Sequence, residues 1–177
     1  MQEPDPRIVE RARSGDLAAF EELVRAHQGD AWRFARSLTR DQHLADDVTQ
    51  EAFVRAFRFL SSFRGDSRFT SWLFAIVRNC ANDAMRSRSR SRSEEMEARS
   101  GAAPDHELRV AIDQAIGALP PELREPFLLV EVFGMPYADA SVVLRVKTGT
   151  VKSRVHRARQ RLMAELSDTD EGARDEM

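Results

Sequence analysis

A single cysteine, Cys80, leaves no partner for an internal disulfide. It sits among the apolar residues of 72–85 and reads as a small buried hydrophobe. The four histidines, His27, His43, His106 and His156, show no ligand spacing with it, which argues against a metal site, and no motif calls for a cofactor. No apolar run is long enough to span a bilayer, and residues 1–13 lack the pattern of a signal peptide, so a cytoplasmic location without membrane insertion is expected. Nowhere do apolar and polar residues alternate long enough to suggest a sheet. Paired carboxylates such as Asp46 and Asp47 have no nucleophile or metal ligand beside them, so the chain is not expected to be an enzyme.

Helical periodicity accounts for most of what is present. Asp16 is placed to cap a helix carrying Leu17, Phe20, Val24, Ala31, Phe34, Ala35 and Leu38, and Thr39 to Gln42 is a polar break. Leu44, Val48, Ala52, Ala56 and Leu60 recur every four residues and predict a second helix to about Ser61. A loop with Gly65 follows, then a third helix from about Thr70 through Met85, with Trp72 and Phe74 assigned to its buried side. Ser87 to His106 is poor in apolar residues and reads as a flexible linker; its alternating Ser-Arg start also fits a prolonged helix. Further on, Leu108, Ile112, Ala115, Ile116 and Leu119 share one helix face. Pro120-Pro121 opens another helix, Pro126 should bend it or displace its start, and Gly134 ends it. The fold class is all-α: two small helical domains, 6–86 and 107–166, joined by a linker over 87–106. An acidic tail, 167–177, is expected to be disordered.

Charge is distributed unevenly. The net charge is -2, yet the segment from Arg145 to Arg161 carries seven basic side chains and no acidic one. Val151, Val155, Ala158 and Leu162 recur within it at helical spacing, so one face packs while the other carries cations. A solvated surface helix is one reading; a polyanion-binding helix is the other. The preceding segment favours the second. Tyr137 to Leu144 is a short helical run, three residues follow, and Thr148 is placed to cap the basic helix. That order is a helix-turn-helix, whose second helix enters the major groove of DNA.

Three segments resemble one family. Gly149-Thr150-Val151-Lys152-Ser153-Arg154-Val155-His156-Arg157-Ala158-Arg159 is similar to the -35 reading helix of bacterial extracytoplasmic-function sigma factors. Asp46-Asp47-Val48-Thr49-Gln50-Glu51-Ala52-Phe53 resembles their polymerase-binding motif. Phe63-Arg64-Gly65-Asp66-Ser67-Arg68-Phe69-Thr70-Ser71-Trp72-Leu73, followed by Val77-Arg78-Asn79, resembles their -10 reading segment. The three occur in the family's order and, with their flanks, cover roughly residues 10 to 166.

The resemblance implies a transcription initiation specificity factor that binds core RNA polymerase, directs it to promoters with -10 and -35 elements, and helps open the DNA. Asp46, Asp47, Gln50, Glu51, Phe53 and Val54 would dock on the polymerase, where complementary charge speeds encounter. Phe63, Arg64, Ser67, Arg68, Phe69, Arg78 and Asn79 would engage the single-stranded -10 element, by stacking, phosphate contact and a base pocket lined by Asn79. Thr150, Lys152, Ser153, Arg154, His156 and Arg157 would contact the duplex -35 element, with Arg154 mainly at phosphate. The family is often held inactive by an anti-sigma factor, frequently membrane-attached, so such a partner is implied. The chain departs from the family in the turn, where glycine is usual at Arg145 and proline frequent at Lys147; Val142 also differs and is placed for surface exposure. Two other readings compete: a dimeric helix-turn-helix regulator that needs no polymerase, and a sigma-shaped protein that sequesters a partner. An ordinary regulator has no use for both the acidic patch and the Asn79 segment.

Overall fold

The computed structural model describes residues 2–91 and 107–172. Eight α-helices are described: α1 (Pro6–Arg13), α2 (Leu17–Thr39), α3 (Gln42–Phe59), α4 (Phe69–Ser91), α5 (Glu107–Ala118), α6 (Pro121–Phe127), α7 (Tyr137–Leu144) and α8 (Thr148–Gly172). Local chemistry explains the boundaries. Asp16 accepts from the Ala19 N–H, and Asp41 caps α3 through the Leu44 N–H, as their short acceptor side chains favour. Arg40 closes α2 in the left-handed region at φ 57°. A 3-10 turn, Leu60–Ser62, leads from α3 into the Gly65 loop.

Four expectations are revised. The helix α4 continues to Ser91, so Ser87 to Ser91 prolongs it, and the rest of the expected linker, 92–106, lies outside the described residues. The helix α8 runs to Gly172, because nothing between Leu162 and Gly172 breaks it; of the tail expected to be disordered, only 173–177 lies outside the described residues. Pro126 does not displace the start of its helix, which remains at Pro121. Beyond it the chain widens into a π-helical segment, Leu128–Val132, closed by the Phe133 N–H on the Leu128 carbonyl at 3.0 Å, and Gly134 stops it at φ 65°. Ile112, expected on the packed face of α5, is instead exposed.

The two halves share one apolar core. Phe34 of α2 stacks on Phe74 of α4 at 5.0 Å, and Phe133, at the end of the π segment, stands edge-on to both at 5.6 and 5.5 Å. Val48 and Val77 of the first half and Leu129, Val143 and Val155 of the second belong to the same cluster. A second cluster, with Leu23, Leu60, Phe69 and Leu73, lies wholly in the first half; a third, with Leu119, Leu123, Ala158 and Leu162, lies in the second. Aromatic rings in such T-shaped contacts contribute about 1 kcal/mol per pair beyond burial. The halves are thus packed together, and α4 lies between α2 and α3 on one side and α7 on the other.

Candidate nucleic-acid interface and docking groove

The acidic segment of α3 lines one wall of an open groove of about 550 Å³. Core packing explains why. Ala45, Val48, Ala52, Ala56 and Leu60 are consumed by the interior, which turns Phe53, Val54 and Phe57 out of that row and toward α2. There they meet Phe20 and Val24, and the Phe20 and Phe57 rings stand edge to face at 5.0 Å. Phe57 is 48% exposed. The Trp32 indole N–H donates to Asp46 at 2.6 Å, so this carboxylate borders the groove in a fixed orientation. Gln50 and Val54 line it, whereas Asp47 and Glu51 lie outside its lining. Glu51 accepts from Arg55 at 2.7 Å, and Arg55 reaches on to Asp83 of α4 at 3.1 Å. These two partners hold the Arg55 guanidinium more firmly protonated than usual. The groove is therefore more apolar than the sequence motif suggests. Phe20, Val24, Gln28, Trp32, Phe57 and Arg58 also line it and were not among the candidates from sequence; the signal for Phe57 was its position off the four-residue row.

The loop before α4 carries Phe63 half-buried against Trp72 at 5.1 Å, with Phe69 edge-on beneath at 6.2 Å. Phe69 is only 2% exposed and offers no open face for a base; it supports Phe63 and Trp72 from inside. Trp72, assigned to the interior on sequence, is half-buried and part of this aromatic platform, while Phe74 is fully buried. Asn79 follows Trp72 by seven residues and is half-buried. That spacing places the two on one stripe of α4, about 10 Å apart along the axis. Arg64 is exposed and Ser67 half-buried in the loop. Arg68 pairs with Asp139 of α7 at 3.5 Å, and Arg78 donates to Glu125 of α6 at 2.6 Å. Of these two candidate phosphate contacts, Arg78 is occupied by a carboxylate of the other half, whereas Arg68 remains largely exposed beside one. Arg88, in the Ser-Arg segment, is paired with Asp41, and the Leu44 N–H together with this pairing keeps the Asp41 carboxyl below its ordinary range.

In the second half the basic helix is divided as its pattern requires. Val151, Val155 and Ala158 are buried, and Lys152, Ser153, His156 and Arg157 are exposed together on the opposite side. Thr150 and Arg154 are half-buried at the margins. The Lys152 ammonium lies 5.9 Å from the Tyr137 ring centre, which ties it to the first helix of the motif. Arg159 is held by Glu131 at 2.7 Å. The turn is made by Arg145 in the left-handed region, at φ 56° and ψ 44°, with the Val146 N–H donating to the Ser141 carbonyl at 3.2 Å. Thr148 does not serve as the cap. The Lys147 carbonyl already accepts from Thr150 and Val151, and the Thr148 hydroxyl donates to Ser141 at 3.3 Å, linking the two helices. Val142 is 47% exposed, as its position suggests.

Comparison with known proteins brings these surfaces under one heading. The family model for Sigma-70 region 2 matches residues 23–91, and that for Sigma-70, region 4 matches residues 109–162. An RNA polymerase sigma-H factor of Pseudomonas aeruginosa is 34% identical over 90% of this chain and 92% of its own length. The extracytoplasmic-function (ECF) RNA polymerase sigma factor SigC of Mycobacterium tuberculosis is 37% identical over 90% of this chain and 89% of its own. Among solved structures, the sigma factor RpoE of Bartonella quintana, in complex with the anti-sigma factor NepR, superposes with a TM-score of 0.73. It is 29% identical, and the match covers 84% of this chain and 96% of that one.

Proposed function

From the premise that this chain belongs to the extracytoplasmic-function group of RNA polymerase sigma factors, we propose a division of labour among its three surfaces. The groove between α2 and α3 takes an apolar, basic-flanked element of core RNA polymerase. Phe53, Val54 and Phe57 supply the buried contact, and Asp46, Asp47, Gln50 and Glu51 supply the polar rim. The stripe formed by Phe63, Trp72 and Asn79 holds an unstacked base of the -10 element, with Arg64, Ser67, Arg68 and Arg78 along its phosphates. Lys152, Ser153, His156 and Arg157 read the -35 major groove, and Thr150 and Arg154 grip its backbone. No covalent step is required of the protein; binding energy spent on the separated strand drives opening.

The observation that carries this reading is the coexistence of all three surfaces, of different chemistry, in one chain. A dimeric helix-turn-helix regulator has no use for the groove or the Asn79 stripe. Because Arg68 and Arg78 are engaged by Asp139 and Glu125, the packed arrangement is the DNA-free one, and promoter binding separates the halves. A partner that holds them together would act as an anti-sigma factor; the Bartonella relative is bound to one, NepR. The experiment is transcription with purified core polymerase and this chain alone, on promoters selected from a randomised DNA library. Promoter-specific initiation supports the reading, and no transcript from any template removes it. Arg157→Ala should lower affinity for the selected -35 duplex by about 1–3 kcal/mol without an equal loss on random DNA.

A further inference from the structure

The helix α4 carries the proposed -10 surface, yet its own flank does not cap it. Its first helical bond runs from the Trp72 N–H to the Arg68 carbonyl at 3.1 Å, so Arg68 holds the cap position with a side chain that only donates hydrogen bonds. The acceptor comes from the other end of the domain. The carboxylate of Glu3, 66 residues earlier in the chain, accepts from the Phe69 N–H at 2.6 Å and from the Thr70 N–H at 3.3 Å. It also accepts from the Thr70 hydroxyl. Phe69 and Thr70 are 2% and 5% exposed, so these donors have no easy access to water in its place. Glu3 is half-buried in the segment just before α1, and α1 is packed on α2 and on the 3-10 turn that enters the loop. The ring of His27, from α2, backs Phe69 at 5.6 Å.

The loop over 63–68 is therefore held at both ends. At its start the Phe63 N–H closes on the Leu60 carbonyl at 3.0 Å, and at its finish a remote carboxylate fixes the first turn of α4. The Phe63–Phe69–Trp72 platform sits directly on that turn. We infer that Glu3 is a positioning residue for the -10 surface: without touching DNA, its carboxylate caps α4 in trans and sets the angle at which Phe63 and Trp72 meet the separated strand. Glu3 lies well before residue 23, where the match to Sigma-70 region 2 begins. The inference rests on the -10 assignment of the preceding subsection.

Two measurements on the full chain test it. In the free protein, Glu3→Ala should speed amide hydrogen exchange at Phe69 and Thr70 about tenfold, with exchange in the middle of α2 unchanged. In the holoenzyme, with a promoter selected by the wild type, Glu3→Ala should weaken binding to a fork template bearing a single-stranded -10 element about tenfold. Affinity for core polymerase and for the -35 duplex should stay within about twofold. Glu3→Gln, whose amide oxygen still accepts from one N–H, should recover most of the loss. Faster exchange without loss of fork binding overturns the inference, as does equal loss of fork and core binding, because Glu3 is then only structural. Unchanged exchange overturns the cap itself. A wild-type chain that directs no transcription removes the -10 assignment, while the exchange result still reports on the cap.

Discussion

Glu125 is the side chain through which the packed arrangement of the two halves is most directly perturbed. Its residue is 9% exposed, and its carboxylate takes the Arg78 guanidinium at 2.6 Å across the interface. Removing one partner of a fully buried pair costs about 3–5 kcal/mol, because the other charge is stranded. The Arg78 side chain retains 23% exposure, so water offsets part of that penalty, and about 1–3 kcal/mol is the appropriate range for Glu125→Ala. The cost falls on the packed form alone, since both groups are solvated once the halves part. The packed-to-separated ratio should then drop by about 5–150-fold. Small-angle scattering should register a larger radius of gyration, and the free chain should bind a single-stranded -10 oligonucleotide more tightly because Arg78 is released. Glu125→Gln should fall between, as the amide oxygen keeps the hydrogen bond and loses the charge. A scattering curve and oligonucleotide affinity identical to wild type in Glu125→Ala would show that the pair does not hold the halves together.

Three further outcomes are expected. Phe57→Ala should cost less than about 1 kcal/mol of stability, since the ring is 48% exposed, yet weaken core-polymerase binding by about 2 kcal/mol as a central aromatic anchor; surface plasmon resonance against immobilised core enzyme reads the second quantity. Arg145→Gly should raise the melting temperature, by about 1 kcal/mol of relieved left-handed backbone energy, because Arg145 is exposed and sits at φ 56°. His27 has its pKa lowered chiefly by burial, against the opposing fields of Glu3 and Asp30, so the folded state prefers the neutral ring. Its contribution to stability is complete above the unfolded value of about 6.5 and is lost as pH falls through that value toward the lower folded one, a slope in the pH profile of the melting temperature that His27→Leu should flatten.

What was readable in the sequence divides along physical lines. Features set within one turn of helix were legible: the Asp16 cap, the polar break at Thr39 to Gln42, the Gly134 stop, and the buried row of α8 that leaves Lys152, Ser153, His156 and Arg157 outside. The left-handed Arg145 was legible as a departure, because the family's usual glycine marks a position needing that conformation. Features set by distant partners were not. The Thr148 cap was displaced by a carbonyl one residue earlier, which local propensity does not distinguish. Arg68 and Arg78 are plausible phosphate ligands by composition, and nothing in their neighbourhood announces Asp139 or Glu125 as partners. Trp72 looked interior because its helix is amphipathic, but the loop residue Phe63 covers only part of it. Glu3, in a segment with no periodicity, carried no signal at all.

The placement of the surfaces around α4 has a consequence for the order of events. One side of α4 packs on α2 and α3, and another meets α7, so the halves close over Arg78, leave Arg68 exposed beside Asp139, and leave the α2–α3 groove untouched. Val54 and Phe57 remain exposed while Phe133 is locked between Phe34 and Phe74. On the proposed assignment of surfaces, polymerase docking does not wait for the halves to part, whereas contact of Arg78 with the -10 strand does. In the second half, Lys152, Ser153, His156 and Arg157 are exposed in this same closed arrangement. On the proposed assignment, binding to the polymerase and to the -35 duplex can thus each begin on the closed chain. On that assignment, separation is driven by whatever pulls the two bound halves apart, and this pull must exceed the free energy of the shared apolar core together with the ion pairs at Glu125 and Asp139.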